Sequence, residues 1–139
     1  MEAFTVAGVA FQCANDMLGV WGDPARTGKP TGSDLSGLKR TLVTVDALAH
    51  VSDAGQALTT LYATHASLGP AETARATELV NATDAGRRAL DFIARQTQHV
   101  LALLDQAVPD PGARRCLEAL ATMPTTYYTA YADARGPRP

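Results

Sequence analysis

The amino-acid sequence predicts an all-α protein: a helical bundle built on a long antiparallel αα-hairpin, with an N-terminal apolar helix and one or two short C-terminal helices. Three observations predict it. Among 139 residues there are 26 Ala, 15 Leu and 10 Arg but a single Ile, a composition of strong helix formers. Apolar residues recur at spacings of three and four over most of the chain. A Gly69-Pro70 turn near the middle separates two such runs.

The first helix is expected over residues 3–18, where Phe4, Ala7, Phe11, Ala14 and Leu18 form one seam and Val6, Cys13 and Met17 another. A helix apolar on two sides must be buried on two sides. Residues 19–33 carry Gly, Pro and Thr without periodicity and read as a flexible loop, after which Ser33 or Asp34 can cap the next helix. A long helix over 35–68 then places Leu35, Leu38, Leu42, Val45, Leu48, Val51, Leu58 and Tyr62 on one stripe. Its partner over 71–108 places Leu79, Leu90, Ile93, Val100 and Leu104 on another. Pro109-Asp110-Pro111-Gly112 ends the hairpin. A short helix over 113–123 follows, and Pro124 opens a last turn or two carrying Tyr127, Tyr128 and Tyr131. The organisation expected is one helical domain over 1–134 with a disordered tail at 135–139.

Each arm of such a hairpin would be roughly 50 Å long. A compact globule of this size has a radius of gyration of only about 14 Å. Either the arms break or the molecule is elongated. The near-repeat Ser52-Asp53-Ala54-Gly55 and Thr83-Asp84-Ala85-Gly86 falls at one level of the two arms, which marks a waist where helices kink or approach closely.

Charge and composition exclude several function classes. A net charge of -2 lacks the clustered Lys and Arg of a general nucleic-acid binder. Two cysteines are too few for a disulfide framework or a structural zinc site, and Cys13 and Cys116 are expected to be free thiols. No uninterrupted apolar run approaches the roughly 20 residues of a membrane span. The N-terminus lacks the basic start of a secretory signal, so the compartment expected is the cytoplasm, and the Ala- and Arg-rich composition is that of a high-GC bacterial genome.

No catalytic constellation emerges. His50, His65 and His99 do not oppose one another across the hairpin, and the chain has only four Glu, so no metal ion or cofactor is implied. The loop Gly22 to Pro30 fails as a phosphate-binding loop, because Pro30 stands where a Ser or Thr is needed and a helix rather than a strand precedes it. Asp84, Arg88, Asp91, Arg95 and His99 read as a ladder of ion pairs on one helix face.

The function expected from the sequence is therefore a non-enzymatic interaction or assembly module, a self-associating adaptor or scaffold. Its partner, a protein or a second copy in a homo-oligomer, would meet Trp21, Arg88, Arg95, Tyr127, Tyr128 and Tyr131. The alternative is a small-molecule or lipid-binding bundle with a pocket at Asp53, Tyr62, His65 and Asp84.

Overall fold

The computed structural model describes residues 2–139, and among them every named element is an α-helix. The order is α1 (Glu2–Trp21), α2 (Pro24–Thr27), α3 (Ser33–Ser36), α4 (Leu42–Ala49), α5 (Asp53–Thr64), α6 (Pro70–Ala82), α7 (Ala85–Ala107) and α8 (Pro111–Tyr131).

The expected helix over 35–68 is three helices, and that over 71–108 is two. Local caps explain why an unbroken apolar spacing does not give an unbroken helix. Thr41 accepts from the Thr44 backbone N–H while the Thr44 hydroxyl accepts from the Thr41 N–H, a capping box that starts α4 afresh. Ser52 accepts from the Gly55 N–H and starts α5. Leu38 and Asp84 adopt left-handed backbone conformations, with φ of 52° and 57°, and each interrupts its helix. The breaks lie two to three residues before the repeated glycines. Gly86 is a point of close approach, since a Cβ there would sit 2.7 Å from Trp21 Cη2.

Three long helices carry the framework. Cys13 lies beside Ala89, and Trp21 against Gly86, whereas Val6 and Ala7 pack with Val100 and Leu104, so α1 and α7 run antiparallel. Along α8, Leu117 and Ala121 meet the start of α1, and Ala132 meets its end, so α8 runs parallel to α1. The main core gathers Met17, Trp21, Leu35, Val43, Leu58, Val80, Ile93 and Tyr128 around the second half of α1. The short helices α3 to α6 wrap this half and leave the first half partly bare.

Three further expectations change. The C-terminal region is one helix that continues through the buried Pro124, because both of its halves pack on α1. The segment 135–139 is docked rather than loose: the Tyr128 hydroxyl donates to Pro137 O at 2.9 Å, and Gly136 lies against Trp21. By length and composition α1 is apolar enough to cross a bilayer, with mean hydropathy 1.2, although Gln12, Asn15 and Asp16 interrupt its apolar run. Its apolar character is partly accounted for by the core it centres.

The charge ladder on α7 is also rearranged. Arg88 leaves its own helix to pair with Asp46 at 2.6 Å and donates to Thr83 O at 2.7 Å, closing the break before α7. Arg87 pairs with Asp91 at 3.5 Å, and His99 faces Glu2 at 3.8 Å. Cys13 and Cys116 are free thiols, the first buried and the second exposed.

Candidate functional site

On α1, Gln12, Asn15, Asp16 and Gly19 follow one another at helical spacing and share a face. This face is a polar interruption in an apolar helix, and a buried carboxylate there requires partners. Asp16 has them: its Oδ1 accepts from Gln12 Nε2 at 2.7 Å and its Oδ2 from the Leu42 N–H at 3.2 Å. One side chain thereby fixes the start of α4 against α1.

The chain between α1 and α4 folds back over the same face. Asp23 caps α2 by accepting from the Ala25 N–H, Gly28 ends it at φ 70°, and Gly32 precedes α3 at φ 74°. Both glycines take a conformation that side chains rarely adopt. The result carries Lys29, Asp34, Lys39 and Thr41 to Asp16. Gly19 makes the approach possible, because a Cβ at that position would fall inside the Asp34 carboxylate. Lys39 Nζ donates to Asp34 Oδ1 at 2.6 Å, and that bond with its Coulombic partner raises the Lys39 ammonium above its ordinary pKa. The turn holding Lys39 is tied down by the Thr44 hydroxyl, which donates to Lys39 O at 2.7 Å.

The fourth wall comes from the far end of the chain. Arg26 donates to Ala130 O, the Asp23 N–H donates to Tyr131 O at 2.8 Å, and the Asp133 N–H donates to Trp21 O at 2.6 Å. The end of α8 is thus strapped to the end of α1, and Tyr127 and Tyr131 border the cleft. The half-open cleft measures about 410 Å³. Three cations, Arg26, Lys29 and Lys39, share it with two carboxylates, Asp16 and Asp34. Such a site can take a polyanion directly or an anion together with a cation.

A second cleft of about 510 Å³ lies beside Trp21, bounded by Leu68, Pro70, Thr73, Ala74 and Thr77. It is apolar, and the Trp21 indole N–H already donates to Asn81 Oδ1 at 3.0 Å.

The residues expected to meet a partner are dispersed. Trp21 and Tyr128 are core side chains, Arg88 is bound to Asp46, and Arg95 is exposed on α7. Tyr127 and Tyr131 do belong to one site, but it is the polar pocket. Asp53, Tyr62, His65 and Asp84 line neither cleft. Asp53 and Asp84 are exposed at helix starts, and His65 is exposed with its Nδ1 beside Leu61 O. Tyr62 is half-buried with its hydroxyl unbonded, and burial pushes its phenol up to about 12. The pocket residues were missed because each had an ordinary local explanation: Asp34 as a helix cap, Lys29 as an exposed loop charge. The available signal was Asp16, the one acidic residue in the apolar stretch between Ala3 and Trp21.

A sequence model of the family described as polyprenyl synthetase matches residues 2–80. A geranylgeranyl diphosphate synthase of Mycobacterium tuberculosis is 41% identical over 104 residues, which cover 75% of this chain and 30% of that protein. The structure of a geranylgeranyl pyrophosphate synthase from Corynebacterium glutamicum, complexed with isoprenyl diphosphate and magnesium, superposes with a TM-score of 0.76 at 36% identity, over 86% of this chain and 34% of that one. A polyprenyl synthetase from Streptomyces coelicolor gives a TM-score of 0.79 at 32% identity over 86% of this chain and 37% of its own. The chain therefore spans about a third of the length of these relatives.

These relatives are helical bundles and named synthases, so they overturn the expectation of a non-enzymatic, self-associating interaction module. The alternative of a generic ligand-binding bundle falls with it. The family match covers more than half of the chain, and the stretch it covers includes the positions of Asp16, Arg26, Lys29, Asp34 and Lys39: the chain belongs to the polyprenyl synthetase family.

Proposed function

We propose that this chain takes part in the synthesis of an isoprenyl diphosphate and supplies the pocket that holds a diphosphate group. The observation that supports this reading is the convergence of Arg26, Lys29 and Lys39 with Asp16 and Asp34 in one cleft. A diphosphate is a compact polyanion with several acceptor oxygens, and ammonium and guanidinium groups on fixed elements are its natural partners. Lys39 is anchored by Asp34 and stays protonated at neutral pH. Arg26 is oriented by the Ala130 carbonyl and by Asp23, 3.7 Å away.

Magnesium, named with the Corynebacterium relative, can be tested against the donors present. Magnesium keeps several waters and is held through one or two carboxylates plus phosphate oxygens rather than by an all-protein cage. Among the described residues there is no group of three His, Cys, Asp or Glu, but Asp16 and Asp34 provide the two carboxylates. The donors fit an ion shared with the diphosphate. Bound there, magnesium would supply a Lewis acid that neutralises phosphate charge. Gln12 and the Leu42 N–H hold the Asp16 carboxylate in place. The reading also places the chain in the cytoplasm, a compartment in which the free Cys13 and Cys116 stay reduced.

Titration calorimetry with inorganic diphosphate, with and without magnesium, tests the reading. Binding is expected, tighter with magnesium, and Lys39→Met should weaken it about tenfold or more, the effect of losing one charge-assisted bond. Absence of binding at millimolar diphosphate under both conditions would overturn it.

A further inference from the structure

We propose that Tyr62 is a positioning residue for the diphosphate pocket: its unpaired hydroxyl donates to Thr44 Oγ1 when an anion draws on Lys39, and so locks the turn that carries Lys39 and Thr41. The role rests on the reading that diphosphate lies in that pocket.

The Tyr62 hydroxyl lacks the partner that a buried polar group needs. The ring packs against the main core, yet the hydroxyl oxygen is buried without a hydrogen bond. Among the described residues no other residue of the interior or its border leaves a buried side-chain nitrogen or oxygen unpaired. Burying a hydroxyl in this way costs free energy that Phe at the same position would avoid, so the group calls for an explanation. Burial also holds the phenol protonated, which makes it a neutral O–H with a proton to give.

Helix register places that O–H behind the pocket. Only His50, Val51 and Ser52 join α4 to α5, and so short a connection makes the two helices an antiparallel pair. Near the turn, a Cβ at Gly55 would fall 3.2 Å from Ala47 O; further along, the Thr59 hydroxyl donates to Leu48 O at 3.3 Å. One more turn along α5 reaches Tyr62, and one turn back along α4 reaches Thr44. The hydroxyl accordingly lies beside Thr44, with Asp34 and Arg40 near enough for their charges to act on it. The front of the same segment lines the cleft with Asp34, Lys39 and Thr41.

Thr44 is able to receive the bond. A hydroxyl has one proton and two lone pairs. The Thr44 proton goes to Lys39 O at 2.7 Å, and one lone pair accepts from the Thr41 N–H at 2.8 Å. The Thr41 hydroxyl, at 3.3 Å, is too distant to hold the second lone pair firmly. A proton from Tyr62 there completes a chain from Tyr62 through Thr44 to Lys39 O, in which each bond strengthens the next. Without ligand, Lys39 Nζ is held by Asp34 at 2.6 Å. A diphosphate in the cleft competes for that ammonium and loosens the tie between the turn and Asp34. The bond from Tyr62 then replaces it from behind.

Calorimetric titration of inorganic diphosphate with magnesium into the full chain tests the role, using the wild type, Tyr62→Phe, Thr44→Val and the double variant, each also unfolded thermally without ligand. Tyr62→Phe should leave the unliganded Tm unchanged or raised, because it removes only an unpaired hydroxyl. It should weaken diphosphate binding about two- to tenfold, the effect of losing one neutral hydrogen bond. In the Thr44→Val background the same change should have no further effect, since the acceptor is gone. Should Thr44→Val fail to fold, the comparison of Tyr62→Phe with wild type decides alone. Equal affinities of those two proteins, an equal loss in both backgrounds, or a lowered unliganded Tm in Tyr62→Phe would overturn the role while leaving the diphosphate pocket standing. Failure of the wild type to bind inorganic diphosphate would overturn the pocket reading and the role with it.

Discussion

The last two turns of α1 separate two clefts of similar size and opposite character. On one side Asp16 and Gly19 face a pocket of about 410 Å³ carrying three cations and two carboxylates. On the other, Trp21 faces a cleft of about 510 Å³ walled by Leu68, Pro70 and Ala74; of its three charged lining residues, Asp133 and Arg135 pair with each other at 3.0 Å and Glu78 pairs with Arg75 at 3.1 Å. The larger cleft is lined mainly by apolar groups. The smaller one gathers charges from α1, from α2 and from the segment between α2 and α4, and α8 borders it with Tyr127 and Tyr131. The two clefts differ less in size than in the number of charged groups that line them.

The sharpest way to break the comparison is to damage one side at a time. Trp21→Ala removes a fully buried ring and should cost about 3–5 kcal/mol in chemical denaturation. If α1 is the shared wall, diphosphate affinity should fall with it only through loss of folded protein. Asp16→Ala removes the partner of the Leu42 N–H and of the Gln12 amide and should cost about 1 kcal/mol, because the bond that starts α4 against α1 is part-buried. The same substitution removes a carboxylate from the pocket, so magnesium should no longer strengthen diphosphate binding. Lys39→Met should change stability by less than about 1 kcal/mol, since its pair with Asp34 is largely solvent-exposed on the lysine side. Its effect belongs to binding, and this separation of stability from affinity distinguishes a site residue from a core one. The smallest effect concerns the two thiols, one of them in the core between α1 and α7. Burial, with Asp16 adding to it, pushes the Cys13 thiol up to about 12, whereas Cys116 is exposed. A thiol reagent at pH 8 should modify one cysteine in the native protein and two after unfolding.

The same contrast explains what the sequence could show. Periodicity and composition made the helices legible, including the Gly69-Pro70 turn and the end of α7, because those signals are summed over many residues. The breaks at Leu38, Ser52 and Asp84 depend on single caps and backbone conformations that a run of apolar spacings hides. The pocket was harder still. Asp16, Asp34 and Lys39 are separated in sequence and meet only because the segment after α1 folds back across Gly19. Tyr127, Tyr128 and Tyr131 could be grouped as an aromatic cluster, but only the packing assigns Tyr128 to the core and the other two to the pocket wall.

The central claim is that diphosphate binds on the Asp16 side of α1 and not on the Trp21 side. Backbone amide and indole N–H shifts, followed by NMR as inorganic diphosphate and magnesium are added, test it most directly. The account predicts shifts concentrated at Asn15 to Gly19, Lys29 and Asp34 to Thr41, with the Trp21 indole resonance unmoved. Saturable shifts at the Trp21 indole and Asn81, with none around Asp16 and Lys39, would contradict it.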